Sequence, residues 1–180
     1  SAKFDENLKP SFLLNTPWGK AKVKLNIAGE QMISNALASA AVGLVAGLSL
    51  DSVVEGLSNV ELSPLRMEIT KTSQGITVIN DTYNANPTSM KAAINSLASL
   101  QHSGAKIAYL GVMAELGDRS SDAHLEVKEY AEELGVEVVA VATDLYGDSQ
   151  VVEIEDVLPE IEKKNLGKDD ALLFKASRIV

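Results

Sequence analysis

The sequence has no cysteine and only two histidines. Without cysteine the chain can form no disulfide and carry no thiolate nucleophile, and two histidines are too few for a histidine-rich metal site. The motifs GxxxxGK[ST], GxGxxG, GxSxG and HExxH are also absent. These absences exclude the familiar triphosphate loop, the dinucleotide fingerprint, the hydrolase nucleophile elbow and the zinc-protease helix.

Positive charge is scarce as well, because 16 basic residues face 25 acidic ones and give a net charge of -9. Nucleic-acid binding usually needs a basic face, so this balance argues against it. The longest apolar segment, residues 36–50, is rich in alanine and glycine and too short to span a bilayer. The first ten residues lack the apolar core of a signal peptide. We expect a cytoplasmic protein that does not insert into membranes.

Hydrophobic patterns divide the remaining sequence into two parts. Residues 11–15 and 20–27 flank "TPWG" and predict a β-hairpin. An apolar stripe from Glu30 to Gly47 predicts a helix, and "LDSVVEGL" predicts a shorter one with Ser49 or Asp51 as its cap. The polar stretch "SNVELSPLR" interrupts every period, so we place a domain boundary near residues 59–65.

After the boundary, strand and helix patterns alternate. "RMEITKT" and "GITVIN" predict a hairpin, and "AKIAYLGVM", "VEVVAVA" and "ALLFKA" resemble buried strands of a parallel sheet. Helical stripes separate them, and a weaker helix is expected at about residues 155–165. The predicted fold class is α/β, with right-handed βαβ units and helices on both faces of the sheet.

The stretch "NDTYNANPTSM", residues 80–90, concentrates amide and hydroxyl groups directly after one of these strands. Pro87 is predicted in the first turn of the next helix, with Asn86 as its N-cap. The segment would therefore lie at the carboxyl edge of the sheet, where open α/β folds bind ligands and a helix N-terminus favours anions.

Several side chains of this segment suit a ligand. Asp81 could accept hydrogen bonds from a ribose diol, Asn84 and Asn86 could bind a carboxylate or peptide, and Tyr83 offers a stacking face. The same residue types also form ordinary turns and helix caps without any ligand. From chemistry alone, both interpretations stay open.

Other polar side chains are predicted at the boundary or at strand ends. They are candidates to hold a phosphate or carboxylate or to do acid–base chemistry: Arg66; Glu115, Asp118 and His124; and Lys175, Ser177 and Arg178. Each has a simpler explanation, since Arg66 could be a surface charge and a lone histidine on a helix is usually exposed or internally hydrogen-bonded.

Five segments, in this order and spacing, together resemble the Mur ligase family: "GEQMISNALASAAVG", "SPLRME", "VINDTYNANPTSMKAAI", "LGVMAELGDRSSDAH" and "LLFKASR". The resemblance implies the end of a central ATP-binding domain at residues 1–60 and most of a Rossmann-like C-terminal domain at 61–180. It implies ATP-dependent joining of D-alanyl-D-alanine to UDP-N-acetylmuramoyl-tripeptide through an acyl phosphate. It also implies the use of ATP and Mg²⁺, with the phosphate loop and metal ligands outside this sequence, so these 180 residues alone are expected to be inactive. We expect a monomer.

Site residues follow from the same resemblance, position by position. Those matched to the nucleotide are Asn35 near adenine, Arg66 at the phosphates and Asp81 at the ribose. Those matched to the incoming dipeptide are Tyr83, Asn84, Asn86, Lys175, Ser177 and Arg178. Four positions depart from the family's usual residues: Gln31 and Met32 replace a His-Asn pair, Val112 replaces aspartate and Ala176 replaces glycine.

Other classes remain as alternatives. A sister Mur ligase or a folylpolyglutamate synthase would share the fold and the ATP chemistry, although "DTYNANP" argues against both. A non-catalytic α/β binding domain would also fit a chain without a phosphate loop.

Overall fold

The computed structural model describes residues 2–178, which form two compact units that divide between Ser63 and Pro64. We call them unit 1 and unit 2. Among the described residues, no helix is long and apolar enough to cross a membrane.

Unit 1 is a small antiparallel sheet with two helices. Its elements are β1 (Lys3–Phe4), β2 (Pro10–Thr16), β3 (Gly19–Lys24), α1 (Gln31–Val45) and α2 (Leu50–Ser58), with β2 central in the sheet. The predicted hairpin is confirmed, because Thr16 pairs with Gly19 around a two-residue turn and Gly19 has a φ of 135°. Ser49 caps α2 by accepting a hydrogen bond from the Ser52 backbone N–H at 3.1 Å.

The apolar stripe of α1 is narrower than predicted. Ala36, Ala40 and Leu44 are buried against the hydrophobic core of unit 1, whereas Leu37 and Val45 are 44% and 79% exposed. A helix packed on one surface buries mainly the positions four residues apart that face it. Leu37 and Val45, on the second edge of the predicted stripe, are therefore not part of this core.

Unit 2 is the α/β part. Its strands are β4 (Glu68–Lys71), β5 (Thr77–Asn80), β6 (Lys106–Leu110), β7 (Glu137–Val141), β8 (Gln150–Val152) and β9 (Ala171–Lys175). Its helices are α3 (Pro87–Ser99), α4 (Ser120–Glu133) and α5 (Val157–Lys163), with 3-10 turns at Gly117–Arg119 and Ile154–Asp156. The sheet order is β4-β5-β9-β6-β7-β8, and only the β4–β5 pair is antiparallel.

Both faces of this sheet are covered. Ile107 and Tyr109 of β6 belong to a core cluster against which Val157 and Ile161 of α5 pack, whereas α3 and α4 contact the sheet through β6, β9 and β7. Strands covered on both faces read as continuous apolar runs. The predicted α/β class with a parallel sheet is confirmed, but the three-residue edge strand β8 was too short to be recognised from its period.

Two tyrosines are buried in unit 2, and both phenols are hydrogen-bonded. Tyr109 donates to the carboxylate of Glu160, and Tyr146 donates to the Gly111 carbonyl oxygen at 2.9 Å. Burial raises the pKa of both phenols well above their ordinary value of 10.0, and the nearby Glu160 raises that of Tyr109 further. Both side chains therefore stay protonated in the folded chain at a pH where they would ionise in the unfolded chain.

We expect the free energy of unfolding to fall as the pH rises from about 9 to about 11, because the unfolded chain then releases protons that the folded chain retains. Tyr146→Phe should make this fall shallower, since one of the retained protons is removed. Urea unfolding across the pH series measures the slope. Equal slopes for the variant and the wild type would contradict the assignment for Tyr146.

Candidate functional site

Three loops meet at one edge of the unit 2 sheet. Because β5, β9 and β6 are parallel neighbours, their carboxyl ends lie side by side. The backbone N–H of Asp81 donates to the Phe174 carbonyl and that of Gly111 to the Lys175 carbonyl, both at 2.9 Å. The prediction that the polar segment after β5 lies on this edge is confirmed, and the segments after β6 and β9 lie beside it.

The start of α3 is fixed by reciprocal hydrogen bonds. Asn86 Oδ1 accepts from the Ser89 backbone N–H at 2.9 Å, and Ser89 Oγ accepts from the Asn86 backbone N–H at 3.1 Å. Pro87 occupies the first turn, where its missing N–H costs nothing. The predicted cap at Asn86 is confirmed, so its side-chain oxygen has a structural role.

Lys175 is buried beneath the loop that follows β5. Only 2% of the residue is exposed, and its Nζ lies 2.5 Å from Asp81 Oδ2, 2.8 Å from the Asn84 carbonyl oxygen and 3.4 Å from the Asp81 carbonyl oxygen. An ammonium has three hydrogens to donate, and these three acceptors use them. Lys175 therefore anchors the loop after β5. The resemblance implies a substrate-binding role for Lys175 and gives no indication of this anchoring role.

Asp81 connects that anchor to the start of unit 2. Its second oxygen, Oδ1, accepts from the Met67 backbone N–H at 3.1 Å, and its side chain is 14% exposed. Each carboxylate oxygen can accept more than one hydrogen bond, so Asp81 keeps capacity for a ligand hydroxyl. The carboxylate of Asp81 has a structural role, because it links the Lys175 ammonium to the Met67 backbone.

Arg66 is held between two residues with left-handed backbone. Leu65 has a φ of 66° and Met67 a φ of 46°, a conformation that costs energy for residues other than glycine. The Tyr83 backbone N–H donates to the Leu65 carbonyl at 3.0 Å, and the Arg66 guanidinium lies over the Tyr83 ring, 3.8 Å from its centroid. Strained backbone of this kind often accompanies a functional side chain.

Ser177 links the same loop to the segment after β6. It is 8% exposed, and its Oγ accepts from the Ala114 backbone N–H at 2.9 Å and donates to the Ala85 carbonyl at 3.2 Å. Its own N–H donates to the Val112 carbonyl at 2.9 Å. Ser177 is thus also engaged internally, whereas Arg178, the last described residue, is exposed.

Asn84 and Asn86, the two asparagines of the loop, are both exposed. Asn84 Oδ1 accepts from the Ala85 backbone N–H at 2.9 Å, just as Asn86 Oδ1 accepts at the helix cap. Backbone N–H donors fix the side-chain oxygens of Asn84 and Asn86, so each amide nitrogen points away from that backbone donor. Neither amide nitrogen makes a hydrogen bond within residues 2–178. The loop therefore presents N–H donors that suit a carboxylate.

His124 belongs to the core of unit 2. The residue is fully buried, its Nε2 accepts from the Met113 backbone N–H at 2.9 Å, and its Nδ1 donates to the Ser120 carbonyl at 2.6 Å. The ring packs edge-on against Tyr146 with centroids 5.0 Å apart. The acid–base hypothesis for His124 is wrong, because both nitrogens hold backbone partners away from solvent. In the part of the chain that the structure describes, no cluster of three or more His, Cys, Asp or Glu residues could hold a metal ion.

Asn35 lies in unit 1, exposed on α1, where its Nδ2 contacts Met32 Sδ at 3.7 Å. The Gln31 side chain folds over Gly29, where a Cβ would lie 2.5 Å from Gln31 Nε2. Gln31 Oε1 is buried and has no hydrogen-bond partner among the described residues. The role of Asn35 near adenine stays a prediction.

Comparison of this chain with known proteins identifies relatives. A family model described as "Mur ligase, glutamate ligase domain" matches residues 65–178. The UDP-N-acetylmuramoyl-tripeptide--D-alanyl-D-alanine ligase of Bacillus subtilis is 37% identical over 84% of this chain and 36% of that protein.

Solved structures agree. A crystal structure of MurF from Acinetobacter baumannii superposes with a TM-score of 0.84 at 32% identity, covering 99% of this chain and 41% of that one. MurF from Thermotoga maritima in complex with ADP gives a TM-score of 0.79 at 25% identity, over 99% of this chain and 42% of that one. The chain thus spans about two fifths of the length of the relatives it matches.

Proposed function

Because the chain belongs to the Mur ligase family, we propose that it is the C-terminal part of the ligase that joins D-alanyl-D-alanine to UDP-N-acetylmuramoyl-tripeptide in peptidoglycan precursor synthesis. The observation that carries this is the match to the Bacillus subtilis enzyme of that name along 84% of the chain. The MurF structure that contains ADP supports ATP as the nucleotide.

The proposed reaction has two steps. The tripeptide carboxylate oxygen attacks the γ-phosphorus of ATP, so that an acyl phosphate forms and ADP leaves. The amine of D-alanyl-D-alanine then attacks the acyl carbon, the peptide bond forms, inorganic phosphate leaves and the amine proton passes to solvent. A magnesium ion would neutralise phosphate charge during such a transfer. The described residues themselves offer no cluster of side chains that could hold this ion.

Within this scheme the edge of unit 2 supplies binding groups. We assign Arg66 to the nucleotide phosphates, Asp81 to the ribose, and the outward amide nitrogens of Asn84 and Asn86 to the carboxylate of the dipeptide. Arg178 is exposed at the same edge and could add a positive charge. Lys175 and Ser177, which the resemblance assigns to substrate, are proposed instead to hold the loop in place, because their polar groups are engaged internally.

The proposal is tested by ADP formation in the full-length protein supplied with ATP, UDP-N-acetylmuramoyl-tripeptide and D-alanyl-D-alanine. We expect turnover that requires both peptide substrates, and no turnover from the 180 residues alone. Full-length protein that consumes ATP equally well without the dipeptide would overturn the proposal. Turnover by the 180 residues alone would overturn their assignment as a partial enzyme.

Asn86→Asp separates the two roles of this residue. Aspartate caps a helix as well as asparagine does, so the stability of unit 2 should be unchanged. The substituted side chain replaces an N–H donor with a charged acceptor, so we expect the KM for D-alanyl-D-alanine to rise about tenfold or more. Steady-state kinetics at saturating ATP measure this.

A matched control is Asn165→Asp, which adds the same charge in the loop that precedes β9, at the opposite edge of the sheet. Asn165 has a φ of 50°, which aspartate also tolerates. We expect wild-type kinetics from this control. If Asn86→Asp behaved like Asn165→Asp, the amide of Asn86 would serve only as a helix cap.

A further inference from the structure

Tyr83 and Arg66 form a stacked pair at the ligand edge of unit 2. The Arg66 guanidinium carbon lies 3.8 Å from the centroid of the Tyr83 ring, well within the distance at which a cation is attracted to an aromatic face. The covered face of the ring is therefore not available to stack on a ligand. Tyr83 is still 38% exposed, so the pair lies at the surface and not in the core.

The backbone around the pair is held by two hydrogen bonds. Leu65 and Met67, on either side of Arg66, both have positive φ. The Tyr83 N–H holds the Leu65 carbonyl at 3.0 Å, and the Asp81 carboxylate holds the Met67 N–H at 3.1 Å. Two residues of the loop after β5, Asp81 and Tyr83, thus contact three successive residues of the segment that carries Arg66, which is more restraint than a surface arginine needs.

A long arginine side chain loses rotamer entropy when it binds a ligand, and a group that is already ordered loses less. Stacking on Tyr83 restricts the guanidinium before any ligand arrives. A planar guanidinium can stack by one face and still direct its N–H groups sideways to phosphate oxygens. The geometry is therefore compatible with phosphate binding while the stack is kept.

We propose that Tyr83 is a positioning residue that orders the Arg66 guanidinium for the phosphates of ATP, and that it does not contact the dipeptide. This rests on the proposed function, since it assigns Arg66 to the nucleotide. The ring face carries the effect, and the phenolic hydroxyl contributes nothing to it.

The test uses the full-length ligase with Tyr83 replaced by phenylalanine, tryptophan and leucine. Phenylalanine and tryptophan keep an aromatic face, and we expect kcat/KM for ATP close to the wild-type value. Leucine keeps apolar bulk but no π face, and we expect kcat/KM for ATP to fall by between about threefold and about thirtyfold. The kcat/KM for D-alanyl-D-alanine at saturating ATP should stay unchanged.

A double-mutant cycle with Arg66→Ala distinguishes positioning from general damage. In the Arg66→Ala background, Tyr83→Leu should have little further effect, because the group that it positions is gone. Tyr130→Leu is the matched control. Tyr130, on α4, is the other tyrosine of the described residues whose ring lies under a cation, with Lys91 Nζ 5.2 Å from the ring centroid. That variant should leave kcat/KM for ATP unchanged.

Three results would overturn the proposal. The first is a loss of kcat/KM for ATP in Tyr83→Phe that equals the loss in Tyr83→Leu. The second is that Tyr83→Leu mainly raises the KM for the dipeptide. The third is that Tyr83→Leu lowers kcat/KM for ATP as much in the Arg66→Ala background as in the wild type. A thermal melt of each variant checks folding, and ADP binding measured by calorimetry gives the same comparison for any variant without turnover. Absence of dipeptide-dependent ATP use in the wild type would instead refute the proposed function.

Discussion

Asp81→Ala is expected to lower the free energy of unfolding of unit 2 by about 3 kcal/mol or more, because it removes the only charged partner that the described residues give Lys175. The lysine is 2% exposed and would keep only two carbonyl acceptors. The Met67 N–H would lose its acceptor as well. A buried cation without its counter-charge is among the most destabilising lesions in a folded domain.

Unit 2 can be followed separately in this experiment. All four tyrosines lie in residues 64–180, whereas Trp18 lies in unit 1. Urea unfolding followed by tyrosine absorbance should show the shifted transition in Asp81→Ala. The double variant Asp81→Ala with Lys175→Met should regain a large part of the stability, because no buried charge then remains unpaired.

Asp148→Ala is the matched control for this prediction. It also deletes an aspartate paired with a lysine, Lys128, but the Asp148 side chain is 90% exposed and water can replace it. We expect its urea midpoint to stay near the wild-type value. If the urea midpoints of Asp81→Ala and Asp148→Ala were equal, the ion pair between Lys175 and Asp81 would contribute nothing to the stability of unit 2.

Gly111→Ala is expected to destabilise unit 2 by about 1 to 3 kcal/mol through overpacking. A Cβ on Gly111 would lie 2.7 Å from the Cβ of Ala176, closer than two carbon atoms can pack. Neither atom can swing away, since a Cβ is fixed by its backbone. Gly111 follows β6 and Ala176 follows β9, so both lie in the loops of the candidate site. The clash would therefore distort the site itself.

Ala176→Gly should rescue Gly111→Ala, because it removes the methyl group that the new side chain meets. Alone, Ala176→Gly should cost about 1 kcal/mol or less, from a small void and a more flexible backbone. A thermodynamic cycle of the four proteins, from urea unfolding, would therefore show strong favourable coupling. Additive effects would mean that the clash is relieved by a movement elsewhere. Because position 111 has no side chain, the Ala176 methyl fits where the resemblance predicts glycine.

Sequence patterns predicted those features that depend on local spacing. The hairpin at Thr16 and Gly19, the cap at Asn86 and the alternation of strands and helices follow from residues close together in the chain. The approach of the loops after β5, β6 and β9 also followed, since parallel strands end at one edge.

Features that depend on distant partners could not be predicted in this way. Lys175 and Asp81 are 94 positions apart, and nothing near either residue indicates that the lysine is buried. The hydrogen bond from the Met67 backbone N–H to Asp81 cannot be predicted from the residue type at position 67, because every residue but proline has a backbone N–H. The sequence left two interpretations of His124 open for the same reason, since its burial depends on Met113 and Tyr146, which lie on other elements.

The position of β9 has a consequence for how the protein is made. Among residues 64–178 this strand is the last in sequence, yet it lies in the interior of the sheet between β5 and β6. During synthesis, the earlier strands emerge from the ribosome with the β5 and β6 edges unpaired, and the sheet closes only when residues 171–175 arrive. A ribosome that stalls shortly before Ala171 would therefore hold a nascent chain with open strand edges, the form most prone to aggregate or to recruit chaperones.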